Sequence, residues 1–179
     1  MDFEIVGYPG DEVSLDLSHE DFSYAGKFGV SDTGKSVLRE DDEIVGAVAF
    51  DRDRTDDDVV KLRCIEVKAG MRGEGRGSKL ARFTTSRLLG EGVEKVKISV
   101  NNPYSYHAMY KAGFEYTGEK RGLRDFVLEY PAYDSEGYGE GLKKFLEIDD
   151  LSEEERGFVE ERLDIAERAQ EFTPAMEFF

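Results

Sequence analysis

The alternation of apolar and polar positions changes period along the chain, and each change predicts a different element. Phe3 to Tyr8 alternates as a half-buried strand does, and Pro9-Gly10-Asp11 ends it. Ser36 to Arg39, Ile44 to Phe50 and Val59 to Val67 repeat the strand pattern across acidic turns, which predicts three antiparallel strands joined by hairpins. After Ser78 the period lengthens: Leu80, Phe83, Leu88 and Leu89 recur at helical spacing until Gly90 and Gly92 stop the run. Val93 to Val100 is β-branched strand again, and a helix joins it to the strand before, so the simplest arrangement of the two is parallel. Phe114 to Glu119 and Arg124 to Tyr130 predict a closing hairpin around Arg121-Gly122-Leu123. Residues 11–34 have no clear period. Ser18 with Asp21 offers a cap for one short helix, Gly26, Gly29 and Gly34 interrupt anything longer, and Ser31-Asp32-Thr33-Gly34 reads as a turn.

Past Pro131 the pattern thins. Ser135 to Gly141 is a glycine-rich, tyrosine-bearing loop, and a short helix is expected at Leu142 to Ile148. Ser152 and Glu155 form a capping box for a longer helix to about Phe172, with Phe158, Leu163, Ile165 and Ala169 as its apolar stripe and Pro174 beyond it. The expected division is a main domain over 1–131 and an extension over 132–179. So few large apolar groups make a poor independent core, so the extension is expected to pack on that domain or on a partner chain. Phe178-Phe179 is either an anchor for a homodimer or an unpacked tail.

Composition removes whole classes of function. A chain of 179 residues can bury a core without disulfides, and its single Cys64 can form no internal bridge. It opens Met1-Asp2-Phe3-Glu4 and has no apolar run of membrane-spanning length, which predicts no membrane association and a cytoplasmic protein. Forty acidic against 24 basic residues give a formal charge of −16, which would repel nucleic acid. The acids either steer a cationic acceptor or keep the surface solvated in concentrated salt. Their spread through the whole chain favours the second, the acidic proteome of a halophilic organism.

The chemistry gathers where strand meets helix. Arg72-Gly73-Glu74-Gly75-Arg76-Gly77 separates Val59–Val67 from the helix at Ser78. Glycines there let consecutive backbone N–H groups turn toward one point ahead of a helix N-terminus, a place that attracts phosphate, although three glycines alone also fit an ordinary turn. The order Gly77-Ser78-Lys79 is wrong for a Walker loop, and a mid-chain position with no acid near Val96 to Val100 excludes the dinucleotide fingerprint.

Arg72, Gly75 and Gly77 fill the pattern Arg-x-x-Gly-x-Gly. Asn102-Pro103-Tyr104-Ser105, Lys111-Ala112-Gly113-Phe114 and Gly118 follow at the distance of a second signature. Together, over Ile44 to Tyr130, these resemble the GNAT superfamily of N-acetyltransferases. The resemblance implies an α/β (α+β) fold: a twisted, mostly antiparallel sheet with splayed central parallel strands and flanking helices. Acetyl-CoA is the implied cofactor and an amine the implied acceptor. Ile65 and Val67 would hydrogen-bond the pantetheine, with the Val67 N–H near the acetyl oxygen. Arg72, Gly73, Glu74, Gly75, Arg76, Gly77 and Ser78 would hold the diphosphate, and Asn102 with Ser105 would serve the pantetheine arm. The family normally places two helices after its first strand, where this chain has little room for them. It also places a Tyr four residues before the Gly of Gly-Phe, where this chain has Met109. The Asn102-x-x-Ser105 spacing without that Tyr is similar to the branch that acetylates ribosomal-protein N-termini.

Three residues are candidates for acid–base work. Tyr106 and Tyr110 lie on the Met109 side of the short helix and are either proton donors for the leaving thiolate, Tyr106 ahead of Tyr110, or packing aromatics. Glu66 is a candidate base on the strand, or a solvated or ion-paired carboxylate, depending on which face meets the acceptor. Cys64 has no nearby His to activate it, and His19 and His107 are too isolated to bind metal. The expected function is acetyl transfer by direct attack of an amine, a peptide or protein N-terminus ahead of a small amine. The alternative is a CoA-binding sensor or scaffold with little turnover.

Overall fold

The computed structural model describes residues 1–132 and 136–172, with side chains through 169 in the last helix. The chain gathers into two compact units, Met1–Ile98 with Lys111–Gly113, and Ser99–Tyr110 with the chain from Phe114 onward.

In the first unit, β1 (Asp2–Gly7), β2 (Gly34–Glu40), β3 (Glu43–Arg52) and β4 (Val59–Val67) pair antiparallel in sequence order, and β5 (starting at Lys95) pairs parallel with β4. The β2–β3 hairpin turns on Asp41 and Asp42, with φ of 51° and 65°; two left-handed residues match the right-handed twist of the flanking strands. Gly34 to Leu38 and Val45 to Phe50 are buried without a break, because the sheet is covered on both faces. Helix α2 (Arg76–Gly90) covers one, with Leu80 0.2 Å inside ordinary van der Waals reach of any Cβ at Gly46, at 3.2 Å. The inner face of α2 is Leu80, Ala81, Thr84, Thr85 and Leu88, whereas Phe83, expected there, lies at the side and stacks on Phe3 at 5.3 Å between centroids. Thr84 holds the inner place because its hydroxyl bonds Ser36 Oγ at 2.6 Å and the Leu80 carbonyl at 2.9 Å.

The other face is covered by the segment before β2, where Leu15 and Phe28 pack on Val37, Ala47 and Ala49. Only α1 (Ala25–Phe28) is helical there, so the helix expected from the Ser18 and Asp21 cap is replaced by a turn in which Phe22 N–H donates to the Ser18 carbonyl at 2.9 Å. The segment is closed at its base by Lys35. Its buried ammonium donates to the carbonyls of Val13, Val30 and Thr33 and to Thr33 Oγ1, at 2.7–3.0 Å. Burial lowers the Lys35 pKa, and the four acceptors replace the water it has lost.

In the second unit, α3 (Pro103–Lys111) precedes the β6–β7 hairpin (Glu115–Arg121 and Asp125–Tyr130), and α4 (Tyr138–Phe145) packs on β6 and on α5 (Glu153–Phe172). Its core is aromatic: Tyr106 meets Tyr116, Phe126 and Phe145 edge-on at 5.5–6.4 Å. The Ser152–Glu155 capping box forms as expected, Ser152 N–H donating to Glu155 Oε1 at 3.2 Å and Glu155 N–H to Ser152 Oγ at 3.0 Å. Two expectations for this region are corrected. Helix α4 begins four residues before Leu142, and the buried position on α5 is Val159, while Ile165 is exposed. Pro174 and Phe178-Phe179 lie outside the described residues, as does Ser135 at the start of the expected loop.

Candidate functional site

Strand β4 pairs with β3 along its length and with β5 in its first half. Its parallel ladder with β5 runs from Val59↔Lys95 to Leu62↔Ile98, while β4 itself continues for five more residues. On the β3 side Ala49 pairs with Cys64 and Phe50 with Leu62, so Arg63 is an extra residue, a bulge. A bulge bends and twists the strand that carries it. The bulge lies one residue beyond Leu62↔Ile98, so any bend it introduces falls at Cys64–Val67. Beyond the bulge, Cys64 packs against the Leu15–Phe28 cluster, so Cys64 and Glu66 face that segment. Val67 faces α2: a Cβ at Gly77 would lie 3.6 Å from Val67 Cγ2.

The loop between β4 and α2 is a main-chain cradle. Gly73 and Gly75 have φ of 84° and 83°, and a Cβ built on either meets nothing within 4 Å. Gly75 is the N-cap of α2 and gives no side-chain cap to the helix's first amides. A left-handed turn, open space before it and an uncapped helix N-terminus together fit a diphosphate. The arginines brace this loop. Arg76 spans Glu40 in a bidentate pair at 3.0 and 3.2 Å, donates to the Met71 carbonyl at 3.2 Å and touches Glu74, and this hydrogen bonding holds the Glu40 carboxyl below its usual range. Both side chains are spent on the loop, which leaves the main chain of residues 74 and 76 as what they present. Arg72 uses only one edge, Nε to the Val67 carbonyl and Nη2 to Glu66 Oε1, both at 3.0 Å, and its side chain remains 53% exposed. Ser78 is buried in the first turn of α2.

Glu66 is not a free base. Its carboxylate is 5% exposed and accepts the Ser23 N–H at 2.5 Å, the Tyr24 N–H at 3.0 Å and Arg72 Nη2. Cys64 is equally unsuited to nucleophilic work, since burial pushes its thiol up to about 11.

On α3 the expected residues take different parts. Asn102 is the helix cap: its Oδ1 accepts the Ser105 N–H at 2.8 Å, and its amide donates to Ser105 Oγ at 3.1 Å and Asn101 Oδ1 at 3.2 Å. These reciprocal bonds tie Asn102 and Ser105 to each other at the start of the helix. Tyr106 is 1% exposed and donates to the Tyr138 carbonyl at 2.7 Å, and burial raises its hydroxyl above the ordinary phenol range. It is a core residue. Tyr110 is 45% exposed and stacks on Tyr138 at 4.1 Å between centroids, while Met109 is buried. Tyr138, which the sequence reading passed over, therefore joins three residues of α3, because its hydroxyl also meets His107 Nδ1 at 2.8 Å. Burial pushes that hydroxyl up to about 12. The one signal for it was a lone aromatic in a glycine-rich loop. Among the described residues no cluster of metal-ligating side chains occurs, and no helix is long and apolar enough to cross a membrane.

A bulged strand running into a glycine cradle at a helix N-terminus defines a coenzyme-binding transferase of mixed α/β class, with mostly antiparallel strands and flanking helices. A sequence profile of the acetyltransferase (GNAT) family matches residues 7–114, and the chain belongs to that family, a class of acetyl-CoA-dependent acetyltransferases. Similar solved structures include an N-acetyltransferase from Staphylococcus aureus Mu50, 19% identical over 55% of this chain and 66% of that one, with a TM-score of 0.45. The PaiA N-acetyltransferase of Thermoplasma acidophilum, in complex with coenzyme A, is 16% identical over 53% and 58%, also at 0.45. The ribosomal-protein-alanine N-acetyltransferase of Brucella melitensis is 19% identical over 54% and 66%, again at 0.45. The matches thus span less than two thirds of those chains' own length. A search of curated proteins finds no match.

Proposed function

We propose that the protein transfers an acetyl group from acetyl-CoA to a primary amine by direct attack, with a peptide or protein N-terminus as acceptor. One observation carries the reading: the left-handed Gly73 and Gly75 cradle at the uncapped start of α2, next to the bulged end of β4. The main-chain N–H groups of residues 73–78 would bind the diphosphate, together with the exposed edge of Arg72, and the main chain of Ile65 to Val67 would orient the pantetheine arm. Bound acetyl-CoA supplies an acyl group activated as a thioester. Tyr110 Oη, exposed on α3, is the group we assign to return a proton to the departing thiolate; the attacking amine gives up its proton to solvent, from which Tyr110 is reprotonated. The Asn102-x-x-Ser105 and Lys111-Ala112-Gly113-Phe114 pattern supports a peptide amine over a small one.

A second reading, a CoA-binding sensor with little turnover, is favoured by a specific observation. Glu66 and Tyr106, two of three acid–base candidates, are committed to hydrogen bonds within the fold. Calorimetry with coenzyme A in multimolar KCl, followed by mass detection of acetylated products across peptides and small amines, separates the readings. Acetylated peptide N-termini support the first, and binding without any product supports the second. Folded protein with no affinity for the coenzyme overturns both. The −16 charge supports a cytoplasmic protein adapted to concentrated salt, and a folded fraction by circular dichroism that does not depend on KCl would refute the adaptation.

A further inference from the structure

Two segments far apart in sequence are bonded to the end of β4. From one side comes Ser18–Phe28. The Ala69 N–H donates to the Asp21 carbonyl at 2.8 Å, Lys68 Nζ lies 3.8 Å from Asp21 Oδ2, and the N–H groups of Ser23 and Tyr24 both donate to Glu66. From the other side comes the cradle, whose Arg72 donates to the Val67 carbonyl and to the same Glu66 carboxylate. Glu66 Oε1 is shared between Ser23 N–H and Arg72, and Oε2 takes Tyr24 N–H. Buried acceptor oxygens must be matched by donors, and donors that share one carboxylate depend on one another, so displacing any one weakens the hold on the others.

We propose that Glu66 is a positioning residue that joins the coenzyme cradle to the Ser18–Phe28 segment, so that binding of coenzyme A at Arg72 tightens that segment. The proposal rests on the reading of the cradle as a coenzyme A site. The side-on edge of Arg72 is fixed by Glu66 and Val67, and with the side chain 53% exposed its outer edge is open to a phosphate. An anion that holds Arg72 there also fixes the hydrogen bond from Arg72 to Glu66, and with it the carboxylate that anchors Ser23 and Tyr24. Coupling of this kind is reciprocal: whatever loosens the segment must weaken the coenzyme's binding through the same carboxylate.

The test is hydrogen exchange and calorimetry on the full chain, with coenzyme A as the probe and the variants Glu66→Gln, Arg72→Gln and their double. In the unsubstituted protein, coenzyme A slows exchange both at residues 72–80 and at 18–28. In Glu66→Gln the slowing at 72–80 persists, that at 18–28 disappears, and Kd rises roughly ten-fold. In the Arg72→Gln background the Glu66→Gln change has no further effect on Kd, whereas a merely structural carboxylate would weaken binding equally in both backgrounds. Glu66→Asp, which keeps the charge, recovers part of the affinity. Coenzyme-dependent protection confined to 72–80 in the unsubstituted protein, or additive losses in the double variant, overturns the proposal and leaves the coenzyme site standing. Absence of any coenzyme binding removes the site itself. If Glu66→Gln does not fold, Arg72→Gln alone decides: loss of protection at 18–28 at saturating coenzyme A supports the link, and its retention overturns it.

Discussion

The glycine cradle of the first unit and the aromatic cluster around α3 in the second are built from opposite materials. The cradle works with main-chain amides, and its side chains, Arg76, Glu74 and Glu40, brace the loop from behind. In the cluster the side chains carry the structure: Tyr106, Tyr110 and His107 all meet Tyr138, through its carbonyl, its ring face and its hydroxyl. A site made of backbone depends on which residues have no side chain, whereas a site made of side chains depends on which tyrosine is left exposed.

The sharpest way to break the contrast is Gly75→Val. A Val at φ 83° is strained, and its side chain would occupy the open space before the α2 amides. Losing two charge-assisted main-chain bonds at about 1.5 kcal/mol each weakens coenzyme A binding roughly a hundred-fold by calorimetry. Unchanged affinity would mean that the cradle is an ordinary turn.

The tyrosines are separated by a paired experiment. Tyr110→Phe lowers turnover about a hundred-fold without changing thermal stability, because its hydroxyl has no structural duty in the reading above. Tyr106→Phe does the reverse, leaving turnover intact and costing about 1 kcal/mol in a denaturant titration, since it removes the bond to the Tyr138 carbonyl. If Tyr106→Phe slows turnover and Tyr110→Phe does not, the assignment of the two is inverted.

The packing of the cluster is tested at Gly141, where a Cβ would lie 2.1 Å from Tyr106 Oη and 2.5 Å from its Cζ. The ring is fully enclosed, so Gly141→Ala destabilises by about 1–3 kcal/mol in denaturant titrations, with coenzyme A affinity unchanged. An alanine tolerated without loss would show that the ring has room to move.

These contrasts also explain what the sequence could reveal. Val59–Val67 was legible to the residue, and so was the Ser152–Glu155 cap, because strand period and capping are local in the chain. The left-handed turn at Gly73 and Gly75 was legible because glycine states a backbone requirement directly. What was missed depends on partners distant in sequence. The Arg63 bulge exists only in the pairing of β4 with β3, and Lys35 is buried because carbonyls at Val13 and Val30 come to meet it. Glu66 looked like a base until the N–H groups of Ser23 and Tyr24, more than 40 positions earlier, were found on it. Tyr106 and Tyr110 share one helix side, and only the arrival of Tyr138 distinguishes the buried hydroxyl from the exposed one.

The smallest expected effect asks whether a carboxylate that organises main chain is a general device of the first unit or special to Glu66. Asp53 Oδ1 accepts the Thr55 N–H at 2.9 Å and Thr55 Oγ1 at 2.8 Å, and Oδ2 lies 3.2 Å from Lys61 Nζ, well away from the cradle in sequence. These bonds, the Thr55 N–H first, hold its carboxyl far below the ordinary value of 3.8. A depressed folded-state pKa means that the unfolded chain binds the proton first, so the stabilisation is complete at neutral pH. It drains away as pH falls below about 3.8 toward the folded value. Asp53→Asn therefore lowers the melting temperature at pH 7, and the gap between variant and unsubstituted protein narrows below pH 3.8. A gap of the same size at both pH values would show that the charge of Asp53 does not organise its turn, and that what Glu66 does for Ser23 and Tyr24 does not extend to it.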